Sequence, residues 1–217
     1  MYKQAFTIAK YPTTNAQFAK FVEDGGYKQK RWWSESGWQE KLYREWTEPL
    51  HWYNEKLNGV DQPVVGITEY EALAFCNWLS EASSELIMLP TEQQWQRAAQ
   101  GDDRRNFPCG NKWDCNRCNN SVNPCKNHTT TPVTQYEGTT RGDSFFGVVD
   151  MAGNTWEQCL IEYNPRHTEL KRTVVGILKG CSYIGNSFDS YRADYRQRKV
   201  YYEFDRSSDC GFRFCHS

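Results

Sequence analysis

Long apolar runs are absent from this sequence. No window approaches the roughly 18 apolar residues of a transmembrane helix, and the first residues lack the basic start and apolar centre of a signal peptide. An excess of either charge is also lacking, since 26 Lys and Arg face 27 Asp and Glu. We therefore expect a soluble protein of unspecified cellular location, without membrane insertion and without a basic surface for nucleic acid.

Cysteines are too few for a protein built on a disulfide framework, and their number, nine, is odd. Four of them crowd into one stretch: Cys109, Cys115, Cys118 and Cys125. Only the central two have the spacing of a zinc-ligand pair, and no second pair of this kind follows. A local disulfide or reduced thiols are therefore favoured over a zinc site.

Aromatic residues, by contrast, make up 15% of the chain and include nine Trp, so aromatic rings must fill much of the core. Three segments, 13–26, 68–83 and 91–101, predict helices because each carries a Thr N-cap before apolar residues at helical spacing. Short extended segments between Gly, Asn, Asp and Pro predict small strands. The stretches 28–62 and 101–145 are expected to be irregular, within one α+β domain over residues 1–217.

A series of motifs follows along the chain in a characteristic order. They are "YPTTNAQFAKFV", "PVVGITEYEALAFCNWL", "LPTEQQWQRAAQG", "FPCGN", "TTPVTQY", "FGVVDMAGNTWEQC", "LKGCSY" and "GFRF". Together they resemble the formylglycine-generating-enzyme family of sulfatase-modifying domains over nearly all of the chain. The resemblance implies a variant of the C-type lectin fold, with small antiparallel sheets, two or three helices and much irregular structure.

The cysteines of the family's oxidases have no counterpart here. Oxidase members place two cysteines, five positions apart, just after a Gly-Gly-Ser-Trp or Gly-Gly-Ser-Tyr turn, where they bind copper and the substrate thiol. That turn corresponds to residues 180–183, which aligns the two positions with Gly185 and Ser190. Neither supplies a thiolate for Cu(I). Cys210 and Cys215 share the spacing but flank an apparent strand, on which they would face opposite sides. We expect no copper and no catalytic residue.

A second enzymatic branch that resembles this domain comprises non-heme iron sulfoxide synthases, whose iron is held by histidines of a separate helical domain. The histidines of this chain are scattered: His51, His128, His167 and His216. Their spacing alone cannot build a facial iron triad, so we expect no iron. An oxidoreductase with an unlocated metal site and an inactive regulatory paralogue stay open as alternatives.

The motif "DMAGNTWE" is where the resemblance implies a structural calcium ion. Carried over residue by residue, the ligands are Asp150, Gly153, Thr155 and Glu157. A set of oxygen ligands with two carboxylates suits a hard cation. The alternative is a turn in which the two carboxylates bind backbone N–H groups.

Residues 181–205 have the composition of a contact surface, in which Tyr and Phe give contact area and Ser, Gly and Asn give adaptable hydrogen bonds. Residues 181–196 contain no Lys, Gln, Glu, Met or Trp. In this they resemble the variable region of retroelement-diversified proteins, whose randomised adenines do not generate those five residue types. The predicted contact residues are Tyr183, Ile184, Gly185, Asn186, Phe188, Asp189, Ser190, Tyr191, Asp194, Tyr195, Tyr201, Tyr202 and Phe204.

Four arginines of the same region, Arg192, Arg196, Arg198 and Arg213, are expected instead to form ion pairs within the scaffold. The sequence thus predicts a non-catalytic, monomeric binding domain for an unknown protein or cell-surface ligand.

Overall fold

The computed structural model describes residues 5–122, 128–138, 142–160, 177–198 and 205–216. Within these ranges lie four α-helices: α1 (Asn15–Glu23), α2 (Glu35–Tyr43), α3 (Glu69–Ser83) and α4 (Glu92–Gln100). The strands are short: β1 (Thr7–Ile8), β2 (Ile87–Met88), β3 (Trp156–Cys159), β4 (Ile177–Lys179), β5 (Gln197–Arg198), β6 (Cys210–Gly211) and β7 (Cys215–His216). The predicted α+β class is confirmed.

Three of the helices begin where their N-caps predict. The Thr14, Thr68 and Thr91 side chains each accept a hydrogen bond from the third helical residue, whose own side chain returns one to the backbone of the cap. Helix α2 was not predicted, and four helices replace the expected two or three. Only Gly37 of α2 is buried, so the helix lacks the apolar stripe that signals a helix, and its main local support is the Ser34 cap.

Two small sheets hold the strands. The first has the order β1-β7-β2 and is antiparallel, and the second has the order β5-β4-β3-β6, in which β3 and β6 are parallel. The C-terminal segment therefore joins both sheets, because β6 pairs with β3 and β7 lies between β1 and β2. Among the described residues no helix has the length and apolar character needed to cross a membrane.

The largest buried cluster among the described residues is mostly aromatic, in keeping with the composition. Phe18 of α1 stacks on Phe75 of α3, with ring centroids 5.4 Å apart, and Phe212 packs edge-on against Phe75 at the same distance. All three side chains are buried. Each such pair contributes about 0.5–1.5 kcal/mol beyond its buried area, so the rings fasten the C-terminal segment to the helices.

Candidate functional site

Residues 184–190 form an exposed segment between two buried ends. Ile184 is 55% exposed and Phe188 is 49% exposed, and Asn186, Ser187 and Asp189 also face solvent. Gly185 and Ser190 are half-buried. The segment presents apolar and polar side chains together, which is typical of a contact surface.

The backbone of this segment is held by buried neighbours. The Tyr191 hydroxyl lies 2.9 Å from the Ser182 carbonyl oxygen and 2.5 Å from that of Gly185. The Ser121 hydroxyl donates to the Tyr183 carbonyl at 2.6 Å, and the Ser121 N–H donates to the Gly185 carbonyl at 3.1 Å. The exposed side chains take no part in these bonds, so the backbone is fixed independently of them.

The placement of two predicted contact residues is corrected. Tyr183 is 6% exposed and Tyr191 is fully buried, so neither belongs to the surface. The physical reason for the burial of Tyr191 is that its ring packs against Trp113, with centroids 4.9 Å apart. Its hydroxyl lies within hydrogen-bonding distance of the Ser182 and Gly185 carbonyl oxygens. Both tyrosines belong to the scaffold.

The remaining predicted contact residues fall into two groups. Asp194 is exposed and pairs with Arg192, and Tyr195 is half-buried beside Trp156. The others lie outside the described residues: Tyr201, Tyr202 and Phe204.

Three of the four arginines form the expected ion pairs, and the side chain of Arg198 lies outside the described part of the structure. Arg192 pairs with Asp194, Arg196 pairs with Glu92, and Arg213 pairs with Glu157. The last pair is fully buried on both sides.

The two positions aligned with the catalytic cysteines carry no thiol, and the first has no room for one. A Cβ atom at Gly185 would lie 2.2 Å from the Cys181 Sγ and 2.5 Å from the Tyr191 hydroxyl. The thiol of Cys181 therefore occupies the space of a side chain at position 185. Burial raises the pKa of Cys181 to about 12, which keeps this thiol protonated and a weak nucleophile at neutral pH. Gly185 itself offers only backbone to a ligand.

The other thiols of the described residues are also unlike a catalytic pair. Cys210 and Cys215 are buried, and burial raises the pKa of Cys215 to about 11. Cys115 is disulfide-bonded, whereas Cys109 and Cys118 are not. Within the described ranges, no group of three or more His, Cys, Asp or Glu side chains is arranged to hold a metal.

The residues predicted to bind calcium lie together, but Glu157 is already engaged. Its two oxygens accept hydrogen bonds from Arg213 Nη2 and Nε, both at 2.6 Å, and Oε2 also accepts one from Trp95 Nε1 at 2.7 Å. The Gly153 carbonyl accepts the N–H of Thr155 at 2.8 Å. Because the guanidinium supplies the positive charge that a cation would bring, this ligand set does not fit calcium as arranged here. Calcium binding stays a prediction of the sequence, and the contacts of Glu157 oppose it.

Asp150 is the carboxylate of the set that keeps one oxygen without a hydrogen-bond partner among the described residues. Its Oδ2 accepts from Asn154 Nδ2 at 2.9 Å, whereas its Oδ1 is buried and has no hydrogen-bond partner among the described residues. Burial raises the pKa of Asp150 to about 7, against the opposing effect of the Asn154 bond. A lone carboxylate of this kind is a weak cation ligand.

The residues that support the exposed segment are not marked by any pattern in the sequence. Ser121 lies 62 residues from Tyr183, and Asp209, which accepts the Ser182 hydroxyl at 2.7 Å, lies 27 residues from it. No local pattern marks such partners. The nearest signal was the concentration of motif residues around the Gly180 turn, which located the region but not its supports.

Comparisons with known proteins agree with this architecture. The fold is shared with Treponema denticola variable protein 1, with a TM-score of 0.71 and 19% identity over 98% of this chain and 84% of that chain. The sequence matches the sulfatase-modifying factor enzyme 1-like domain over residues 1–217. The chain therefore belongs to the family of sulfatase-modifying factor enzyme 1-like domains.

Two curated relatives mark the functional range of this family. Hercynine oxygenase of Mycolicibacterium smegmatis is 32% identical over 70% of this chain and 36% of its own length. Inactive C-alpha-formylglycine-generating enzyme 2 of Mus musculus is 25% identical over 98% of this chain and 75% of its own length. The chain thus spans about a third of the oxygenase, and the family contains both active enzymes and inactive paralogues.

Proposed function

We propose that this protein is a non-catalytic ligand-binding domain whose contact surface is the 184–190 segment. One observation carries the proposal: the segment exposes its side chains while buried groups fix its backbone. The supports are Tyr191, Ser121 and the Ser182–Asp209 hydrogen bond. Side chains at the exposed positions can then change without changing the shape that presents them.

A backbone held in this way favours binding. Ordering a loop when a ligand binds opposes association, and a surface that is already ordered avoids that cost. Ile184 and Phe188 are large apolar side chains that lose water contact on binding, and each is about half exposed. Asn186 and Asp189 provide hydrogen-bonding groups between them. The combination suits a protein ligand.

Three features support the absence of family-type oxidase chemistry. Gly185 and Ser190 replace the two cysteines, the Cys181 thiol fills the space of a side chain at 185, and burial raises the Cys181 pKa. A nucleophilic or soft-metal thiolate is thus disfavoured at this place.

A second candidate function is an oxygenase-type domain that works as one part of a longer protein. The 32% identity to hercynine oxygenase favours it. This candidate requires iron bound by the purified protein and turnover of a hercynine-like substrate. The binding-domain proposal expects neither.

The proposal is tested by randomising four exposed positions: Ile184, Asn186, Phe188 and Asp189. The library is displayed on yeast and selected against immobilised lysozyme as a defined protein target. We expect most variants to reach the surface folded and clones with specific binding to be enriched over successive rounds.

A matched library randomises four buried positions of the scaffold: Ser182, Tyr183, Tyr191 and Asp209. We expect this library to lose folded display, because its residues hold the segment. The proposal is wrong if both libraries fold equally poorly, or if the exposed library folds well and never yields a specific binder.

A further inference from the structure

A cavity of about 690 Å³ lies next to residues that support the 184–190 segment. It is lined by residues 109–115 together with Arg117 and Val122. Val122 directly follows Ser121, whose hydrogen bonds hold Tyr183 and Gly185. Cavities of this size are typical of sites for small ligands or single anchoring side chains.

One wall of the cavity is the Trp113 ring, which its neighbours hold in place. It lies 4.9 Å from the Tyr191 ring and 5.4 Å from the Phe107 ring, measured between centroids. Both supporting side chains are buried, whereas Trp113 is half-buried. A fixed indole with a partly open surface is suited to pack against a planar ring.

The charged side chains that line the cavity differ in whether they form an ion pair within the described residues. Asp114 Oδ1 accepts from Asn116, and Asp114 Oδ2 accepts from Arg117 Nε at 3.3 Å. Arg117 Nη1 donates to the Cys109 carbonyl at 3.2 Å. Lys112 is exposed and has no ion-pair partner among the described residues. The Lys112 ammonium group is therefore available to pair with an anionic ligand, while the Asp114 carboxylate is already paired with Arg117.

We infer that this cavity is an anchor subsite for an aromatic carboxylate, such as an aromatic side chain with an acidic group beside it in a protein ligand. The ring packs on Trp113, and the carboxylate pairs with Lys112. The inference rests on the proposed function and extends it, because Trp113 and Val122 of the lining neighbour Tyr191 and Ser121, which hold the 184–190 segment, and the cavity would hold one side chain of the same ligand.

The cavity also contains its own chemical reporter. The Cys109 thiol is only partly buried, and it lines this cavity. Partial burial raises the pKa of its thiol, so alkylation is slow at neutral pH and faster in mild alkali. A bound ligand would slow it further.

The experiment uses small probes of one shape and different charge: 4-hydroxyphenylacetate, its neutral amide 4-hydroxyphenylacetamide, and the cation tyramine. Cyclohexylacetate serves as the carboxylate without an aromatic ring. Binding to the full chain is measured by ligand-observed NMR titration and by protection of Cys109 from iodoacetamide, read by mass spectrometry. We expect the aromatic carboxylate to bind about threefold more tightly than its amide, as an exposed ion pair allows. It should also protect Cys109.

Two variants assign the contacts. Lys112→Gln should remove the preference for the carboxylate while leaving the amide's affinity unchanged, and Lys56→Gln, at an exposed lysine outside the cavity, is the matched control. Trp113→Ala should abolish binding of all the aromatic probes, provided that its melting curve shows a folded protein. The Lys112 variant keeps the test decisive if the Trp113 variant does not fold.

The inference is overturned if the four probes bind equally, if none protects Cys109, or if Lys112→Gln leaves the preference intact. These outcomes are separate from failure of the proposed function. Probe binding does not require the exposed segment, and the yeast selection does not require the cavity.

Discussion

The buried pair of Arg213 and Glu157 is the part of the scaffold whose loss should be most visible. Arg213 is fully buried, and its guanidinium also donates to the carbonyls of Val149, at 2.8 Å, and Ala9, at 3.1 Å. It therefore links the first strand region, the segment before Asp150, and strand β3. Arg213→Met removes these bonds with a side chain of similar length.

The magnitude follows from what is left behind. In the variant, the buried Glu157 carboxylate keeps only the Trp95 N–H as a donor, since both Arg213 bonds are gone. Removing one partner of a buried ion pair costs about 3–5 kcal/mol. For a protein of this size, that corresponds to a fall in melting temperature of roughly 6–20 °C.

The assay is urea unfolding at neutral pH for four proteins: the parent, Arg213→Met, Glu157→Gln, and the double variant. We expect the double variant to be at least about 1 kcal/mol more stable than the sum of the single losses implies, because the two side chains contact each other. Two results would refute the view that this pair holds the three segments together. One is a loss of unfolding free energy below about 1 kcal/mol in Arg213→Met, and the other is additive losses in the double variant.

Three further predictions follow from the same region. Excess EDTA should leave the melting temperature unchanged, because Arg213 engages Glu157; a rise on adding calcium chloride would instead support the sequence-based calcium ligands. Burial raises the pKa of Asp150 to about 7, above the value of about 4 in an unfolded chain. The Asp150 carboxyl therefore contributes its full share of folding stability below about pH 4, and this share is lost as the pH rises through about 7. Asn tolerates the left-handed φ of 56° at this position, so Asp150→Asn should fold and should weaken the pH dependence of stability in urea unfolding between pH 5 and 8. An unchanged pH profile would contradict a raised pKa at Asp150. Gly185→Ala should cost about 1–3 kcal/mol through its clashes with the Cys181 Sγ and the Tyr191 hydroxyl, Cys181→Ala should recover only part of the loss because the Tyr191 contact remains, and a fully stable Gly185→Ala protein would contradict the geometry.

The features that the sequence predicts well are local. The caps Thr14, Thr68 and Thr91 each meet their partners within three residues, so three helix starts are readable from short stretches of sequence. The aromatic core is likewise evident from composition. Helix α2 was missed because it buries little and so leaves no periodic pattern.

The site depends on contacts between distant positions, and there the sequence is less informative. Composition indicated the segment that we propose as the contact surface, but the burial of Tyr191 depends on Trp113, which lies far away along the chain. Similarly, Arg213 is 56 residues from Glu157, and only the folded arrangement shows that it occupies the carboxylate implied to bind calcium. Residue type therefore located the region, while the orientation of each side chain depended on tertiary packing.

The most direct measurement of the central claim is the binding footprint of a selected variant on its ligand. Hydrogen exchange of an enriched clone, with and without bound lysozyme, should show new protection concentrated at residues 184–190 and little change in α1 and α3. Protection centred elsewhere, with residues 184–190 exchanging as in the free protein, would contradict the assignment of this segment as the contact surface.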